Sequence, residues 1–522
     1  MKKRLFVLGV VAALAALPAT TSFAASRGTT FTPLGTFPLC GTVPEGEFCE
    51  DFPITTVTDM TGDGSRIVGL HAFFTGAYEW TAENGLRTMG PVDGAPYISR
   101  DGSLVGSDSF EDTYTYGYAS TWNGVFWDID TQPAPDTIWT KLPVADGFAF
   151  CDFSGQSTFG VSSNWVVGLT WIDENGDGNG CEGARAFAWS AATGTVVLDD
   201  SVSGDGSYRA NAVNDDGSVI TGWSAPGRTA SVWLDNQEQH ICQDPAWFCN
   251  EGWDVTPDGA TVLFTGASPN DFNTRASLYD VASGDIEQLP FPDAPYDPAW
   301  DTFQGWAVSD DGGTVVGEFG GGGFFGSPPY PVMWNRDLGM TLDVQVFLLG
   351  QGLDDLFFWF LEDATAVNSD GTIIAGSGVN PDGWIEAWSA DISRVKVCHK
   401  PEGDSNGARR TLTIGWDGLA DHLGHGDYLS TCEFALADGH SRAMDLRKEM
   451  VGSSDDPNRD ARMGTMQSAR AAQARAADSG LANVRVANPY PTDVEADDVF
   501  EGGQGSQKRQ LLERRIERYR GR

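Results

Sequence analysis

The sequence predicts an all-β fold: a seven-bladed β-propeller closed by its N-terminal strand, with a small disulfide-stapled C-terminal module and a disordered tail. Three observations carry that prediction. One strand-and-turn cassette recurs seven times between residues 50 and 392. Glycine numbers 64 and tryptophan 18 among 522 residues, which suits short strands joined by tight turns. Helical periodicity is nearly absent before residue 440.

The cassette opens with a small strand ending near Asn or Asp, turns at Asp-Gly and enters a β-branched strand ending in Gly. A variable loop, a strand ending in Trp and a Gly-containing turn follow. The first copy has Asp63-Gly64 and Trp80, the second Asp101-Gly102 and Trp122. The third lacks Asp-Gly but keeps Val166-Val167-Gly168 and Trp189. The fourth has Asp216-Gly217 and Trp233, and the fifth Asp258-Gly259 with Tyr279 in the Trp place. The sixth has Asp311-Gly312 and Trp334, the seventh Asp370-Gly371 and Trp388. Asp-Gly predicts a two-residue hairpin loop, because Gly accepts positive φ without penalty. Val-Val-Gly predicts a buried strand that stops where the backbone bends. The Trp is a large apolar anchor suited to the gap between neighbouring sheets. One such sheet cannot bury both faces, whereas several packed around an axis can. Cassettes recur every roughly 40 to 60 residues, the range of propeller blades. The seventh cassette stops after its Trp strand. Thr30-Phe31-Thr32-Pro33-Leu34-Gly35 resembles the strand it lacks, so the N-terminal strand is expected to complete the last blade. The competing arrangement is an open stack of hairpins.

Phrases such as Asn368-Ser369-Asp370-Gly371 and Ala186-Phe187-Ala188-Trp189 resemble the bacterial extracellular repeats called HAF repeats, over residues 50 to 392. The fifth copy, with Pro257-Asp258-Gly259 and Leu278-Tyr279-Asp280, is more similar to the repeats of TolB-type propellers. Both resemblances imply a propeller. Neither implies an activity, since the fold hosts binding proteins and enzymes alike.

The ends suggest the compartment. Lys2-Lys3-Arg4, an apolar run from Leu5 to Leu17 and small residues up to Ala24 read as a bacterial secretory signal peptide over residues 1–24. The expected plan is then a propeller over 28–394, a Cys/His module over 395–436 and a tail over 437–522, largely disordered and ending in a basic amphipathic helix. No later apolar run reaches the ~20 residues of a transmembrane helix. Secretion or a periplasmic location is expected. Eight cysteines suit an oxidising compartment, and the simplest pairing is local: Cys40/Cys49, Cys151/Cys181, Cys242/Cys249 and Cys398/Cys432. The net charge of −40 argues against a nucleic-acid partner, which needs basic surface.

Two stretches offer metal ligands. Asp173, Asn175, Asp177, Asn179 and Glu182 place oxygens at alternate positions of a Gly-rich loop, as calcium loops do. The Glu expected at the twelfth position is Ala184, so Glu182 would substitute, and a structural calcium ion is expected if one binds; an acidic surface turn is the alternative. In the C-terminal module, His399, His422, His425 and Asp427 offer a transition-metal site for zinc or copper. The alternative is a disulfide-stapled mini-domain whose histidines bond to backbone and carboxylate. Cys398-His399-Lys400-Pro401, His422-Leu423-Gly424-His425-Gly426-Asp427 and Cys432 resemble a module appended to many bacterial secreted proteins, and that resemblance implies no role. Phe324-Phe325 with Tyr330, and Phe357-Phe358-Trp359, are candidates for stacking on sugar rings or for core packing.

The propeller portion offers only His71 and His240 as imidazole bases, and its carboxylates are too many to single out a catalytic pair. The reading is therefore a secreted, non-enzymatic binding or scaffold module for an envelope glycan or a protein. A polysaccharide-acting glycosidase or lyase is the first alternative, and a metal-dependent function of the histidine module the second.

Overall fold

In the computed structural model the described residues lie between 28 and 436, apart from short gaps and the longer segments 39–52, 121–138, 151–155, 174–182, 293–300, 322–328 and 402–408. The proposed signal peptide, the calcium-candidate loop after Asp173, and the tail from 437 all fall outside them. So do Cys40, Cys49, Cys151, Cys181 and Trp122.

The fold is an all-β propeller. The described residues form seven antiparallel sheets of four or five strands, plus one two-stranded hairpin. Their innermost strands, taken as sheets 1 to 6, are Thr55–Met60, Tyr97–Ile98, Gln156–Val161, Arg209–Val213, Phe248–Val255 and Asp301–Val308. In sheet 7 the inner edge is Phe360–Leu361 with Ala366–Val367, followed by Ile373–Val379 and Ile385–Asp391. The outermost strand of sheet 7 is the N-terminal Thr30–Gly35, which pairs antiparallel with Ile385–Asp391 from Thr30 opposite Asp391 to Gly35 opposite Ala387. Each sheet touches the next through its inner strands, and Ala366–Val367 of sheet 7 touches Thr55–Met60 of sheet 1.

A cluster of buried side chains fills every seam between neighbouring sheets. The third-strand aromatics lie there, each facing the preceding sheet. Trp233 belongs to the seam of sheets 3 and 4, Tyr279 to that of 4 and 5, and Trp334 to that of 5 and 6. Trp233 and Trp388 are fully buried and Trp334 is 1% exposed, so these side chains are anchors and not binding platforms. Trp388 pairs across from Gly376, two positions earlier than its counterparts, but the step of two keeps it on the same face.

Two local expectations are corrected. The Asp-Gly turns are not two-residue loops. Thr61 N donates to Arg66 O, so four residues are looped out, and Gly64 N donates back to Thr61 O. The Asp side chain accounts for this: Asp63 Oδ1 accepts from Ser65 N and from the Thr61 hydroxyl, which itself accepts from Arg66 N. The same pattern recurs at Asp101, Asp258 and Asp311. These bonds hold Asp63 and Asp258 below the usual carboxylate range. Six turn glycines, from Gly64 to Gly371, have φ between +67° and +78°, which is why Gly stands there.

The second correction concerns the Val-Val-Gly strands, which run on past their Gly. Arg66–His71 continues through Gly69, and Val166–Asp173 through Gly168. The Gly instead sits opposite a β-bulge of the inner strand, where the register slips between Val57 and Asp59, Thr158 and Gly160, Ala210 and Ala212, or Gly305 and Ala307. There the inner backbone closes in. A Cβ on Gly222 would lie 1.9 Å from the Arg209 carbonyl oxygen, and one on Gly317 would lie 1.9 Å from that of Gln304.

The C-terminal module leans on the propeller. Helix α1 (Val344–Gly350) follows sheet 6, capped by Asp343, whose carboxylate accepts from Val346 N. Its Val344, Phe347 and Leu348 share one core cluster with Val395, Val397 and Leu419 of the module and with Trp388 of sheet 7. The module pairs Arg394–His399 with Arg410–Gly415, adds helix α2 (Leu419–Gly424) and is closed by a Cys398–Cys432 disulfide. A second disulfide joins Cys242 and Cys249. Among the described residues no helix is long and apolar enough to cross a membrane.

Candidate functional site

The inner-strand bulges position the first candidate site. A bulge re-aims one residue out of the alternating pattern. Here the re-aimed residues are Thr58, Phe159, Asn211, Trp253 and Trp306, and all five line a cavity of about 100 Å³ on the axis, together with Thr365 of sheet 7. Trp253 and Trp306 meet edge to face with ring centroids 4.7 Å apart.

The cavity also holds Asp59, Arg100, Asp215 and Asp254. Asp59 and Asp254 stand at the same place in their cassettes, four residues before the turn Asp, where sheets 4, 6 and 7 have Ala212, Ala307 and Ala366. Each does the same work. Asp59 accepts from Met60 N at 2.8 Å and reaches the next sheet at Ile98 N, 2.9 Å. Asp254 accepts from Val255 N at 2.8 Å and from Val308 N of the next sheet at 2.9 Å. Arg100 reaches from sheet 2 across the axis. Its guanidinium donates to the carbonyls of Val367 and Val308 and lies 3.9 Å from Asp254 and 3.4 Å from Asp310. Burial raises Asp59 to about 7 against the opposing pull of Arg100, and raises Asp254 for the same reason.

Beside the cavity, Glu251 is fully buried between Arg209 and Arg228. Asn211 donates to Glu251 and to the Gly252 carbonyl, each at 2.7 Å. Arg209 stacks over Phe159 at 4.5 Å and Arg228 over Trp223 at 5.3 Å. Half-buried Glu318 and buried Asp363 form another acidic pair, at the seam of sheets 6 and 7. Burial lifts Glu318 to about 8, with the Asp363 and Glu362 charges adding to it, and lifts Asp363 to about 7.

The second candidate site is the histidine cluster of the module. His399 ends its strand and His422 sits on α2. Each places Nδ1 2.8 Å from the same atom, Asp427 Oδ2. The other oxygen of Asp427 accepts from Lys400 N at 2.8 Å. An antiparallel bridge between Cys398 and Tyr428 brings residues 399 and 427 side by side. Burial alone would lift Asp427, but the Lys400 amide and the two imidazoles reverse that and hold it below the usual range. His425 stands beside this trio, its ring centroid 6.1 Å from that of His422, and is not among the three residues whose donor atoms lie within 4.8 Å of one another.

Other sequence candidates separate. Tyr330 and Trp359 are buried in the core, Phe358 is 72% exposed, and Phe324 and Phe325 lie outside the described residues. Of the calcium candidates only Asp173, at a strand end, is described, so Asn175, Asp177, Asn179 and Glu182 remain an expectation. The axial residues were not singled out from the sequence. The available signal was the departure of Asp59 and Asp254 from the Ala found in other cassettes.

No family model and no curated protein matches the chain. Solved structures with a similar fold include TolB from Acinetobacter baumannii, at 12% identity and TM-score 0.33, covering 55% of this chain. The chain spans 62% of that TolB structure. Oligogalacturonate lyase from Vibrio parahaemolyticus aligns at 11% identity and TM-score 0.40, over 70% of this chain and 97% of its own. The β-propeller domain of the Trilobed protease from Pyrococcus furiosus, described as having an open velcro topology, aligns at 11% identity and TM-score 0.39, over 70% of this chain and 99% of its own.

Proposed function

We propose that this chain is an exported, non-enzymatic binding propeller of seven blades, clasped by its N-terminal strand, that holds an envelope glycan or a protein partner at the mouth of its axis. The observation that carries the reading is the commitment of the two most deeply set of the three carboxylates that line the cavity, Asp215 being the third. Asp59 and Asp254 each bridge two sheets through backbone amides, and Arg100 is tied to two carbonyls and two carboxylates. A general acid or base must be within reach of a substrate proton and not spent on the scaffold. The cavity of about 100 Å³ is well below the roughly 300 Å³ at which ordinary ligand pockets begin, which favours docking of a ligand tip over engulfing a chain. Trp253, Trp306 and Phe159 supply ring faces, and Asn211 and Thr58 supply polar groups, the mixture that sugar or peptide recognition uses. The charge of −40 disfavours nucleic acid as the ligand. If the loop from Asp173 to Glu182 takes calcium, its role is structural.

The test is a glycan array and envelope-extract pull-down with the mature chain, alongside Trp253→Ala and Trp306→Ala. Specific binding, weakened about tenfold or more in either variant while the melting temperature holds, is the expected result. Turnover of a polysaccharide that vanishes in Asp59→Asn would replace this reading with the glycosidase or lyase alternative.

A further inference from the structure

We propose that His399, His422 and Asp427 form a binding site for a single divalent transition-metal ion of the zinc and copper class, on the face of the C-terminal module. The site is separate from the axial mouth and does not depend on what binds there.

Three donor atoms from three chain segments converge. His399 Nδ1 comes from a strand end, His422 Nδ1 from α2 and Asp427 Oδ2 from the loop after α2, and the donors lie within 4.8 Å of one another. Both nitrogens stand 2.8 Å from the carboxylate oxygen. Tetrahedral ligands ~2.0–2.1 Å from a shared zinc ion stand about 3.3 Å apart, so for an ion to enter, each nitrogen draws back from Asp427 Oδ2 by about half an ångström and the two nitrogens, within 4.8 Å of each other, come to the same spacing. In the metal-free state each imidazole carries its proton on Nδ1 and donates it to Asp427. Binding moves that proton to Nε2 and turns the Nδ1 lone pairs to the ion, in histidine side chains that are 25% and 28% exposed.

The site is built and not incidental. The Asp427 side chain is fully buried, and its second oxygen is anchored by the Lys400 amide, which orients the first oxygen as outer-shell bonds do in metal centres. His399 follows Cys398, which is locked by the disulfide to Cys432 and by the bridge to Tyr428. The chain turns between α2 and Asp427 through Gly426 at φ +86°, which swings the carboxylate back under the helix. Two imidazoles and one carboxylate suit zinc, copper or nickel, whereas calcium and magnesium call for an all-oxygen shell. Three protein ligands leave a position open to solvent or to a ligand group.

Isothermal titration of the full mature chain with zinc, in millimolar calcium to occupy general acidic surface, tests the assignment. One tight site per chain is expected. His399→Ala and His422→Gln should each weaken it about 100-fold, while His425→Ala leaves it unchanged. X-ray absorption on the zinc-loaded native chain should show two imidazoles and a carboxylate, which keeps the test decisive if a variant misfolds. No saturable site in the native chain, or equal loss in His425→Ala, overturns the assignment.

Discussion

At the residue scale, two kinds of position matter most. The first is the glycine opposite each inner-strand bulge. A methyl group there cannot be accommodated by rotating a side chain, because the obstacle is a backbone carbonyl. Gly222→Ala is expected to cost about 1–3 kcal/mol or more, read as a lower urea midpoint with an unchanged slope. Gly194→Ala, where a Cβ meets nothing within 4 Å but φ is +68°, isolates the cost of conformation from that of crowding. The second kind is Arg100. It is the cation that faces Asp59 and Asp254 from across the axis, so Arg100→Gln should lower stability by more than the ~1 kcal/mol of an exposed ion pair. A melting temperature equal to the native one would show that the sheets hold without this pin. Neither role stands out from the sequence. Gly was visible as part of the cassette, but its task depends on a bulge in the neighbouring strand, and Arg100 occupies a place that other cassettes fill with Gly, Ser, Asp or Pro.

At the element scale, the sheets meet through seams, and the seam of sheets 6 and 7 is sensitive to pH. Glu318 and Asp363 ionise near 4 in an unfolded chain, but at about 8 and about 7 in the folded one. The folded state therefore holds the extra protons between those limits, and stability falls as pH rises from about 4 to about 8. Thermal midpoints should decline across pH 5 to 8.5, and Glu318→Gln should flatten that decline. A midpoint that rises over the same range would contradict the assignment. The turn aspartates pull the other way only in acid, since Asp63 and Asp258 titrate below the usual range. The periodic parts of these elements were legible: among the described residues, the Asp-Gly turns, the β-branched strands and the aromatic third strands stand where the repeats place them. The four-residue loop was not, because the hydrogen bond from Thr61 to Asp63 replaces the two-residue turn that the Asp-Gly pair alone suggests.

At the scale of the whole molecule, the described residues form a ring of short sheets whose strands pair with near neighbours in sequence, with one long-range exception among these pairings. Thr30–Gly35 meets Ile385–Asp391 more than 350 positions along the chain. Phe31 also packs against Trp359 and Trp388, at centroid distances of 5.2 and 5.9 Å. Deleting residues 28–35 should leave sheet 7 with an open edge and lower the melting temperature sharply, with soluble aggregates in gel filtration. Retention of the native melting temperature would mean the ring does not need this strand. The seam packing was readable from the Trp spacing because it repeats; the docking of the module through α1 was not, since a single seven-residue helix has no period to betray it.

That one distant pairing also sets an order of events. During synthesis Thr30–Gly35 emerges long before the strand it pairs with, because Ile385–Asp391 is made when most of the ring already exists. The cost of bringing such remote segments together comes before any contact repays it, so the final step of folding should be slow compared with the formation of each hairpin. Until then a strand edge and an apolar seam stand open, and the interval before closure is when the newborn chain is most exposed to proteases and to its own kind.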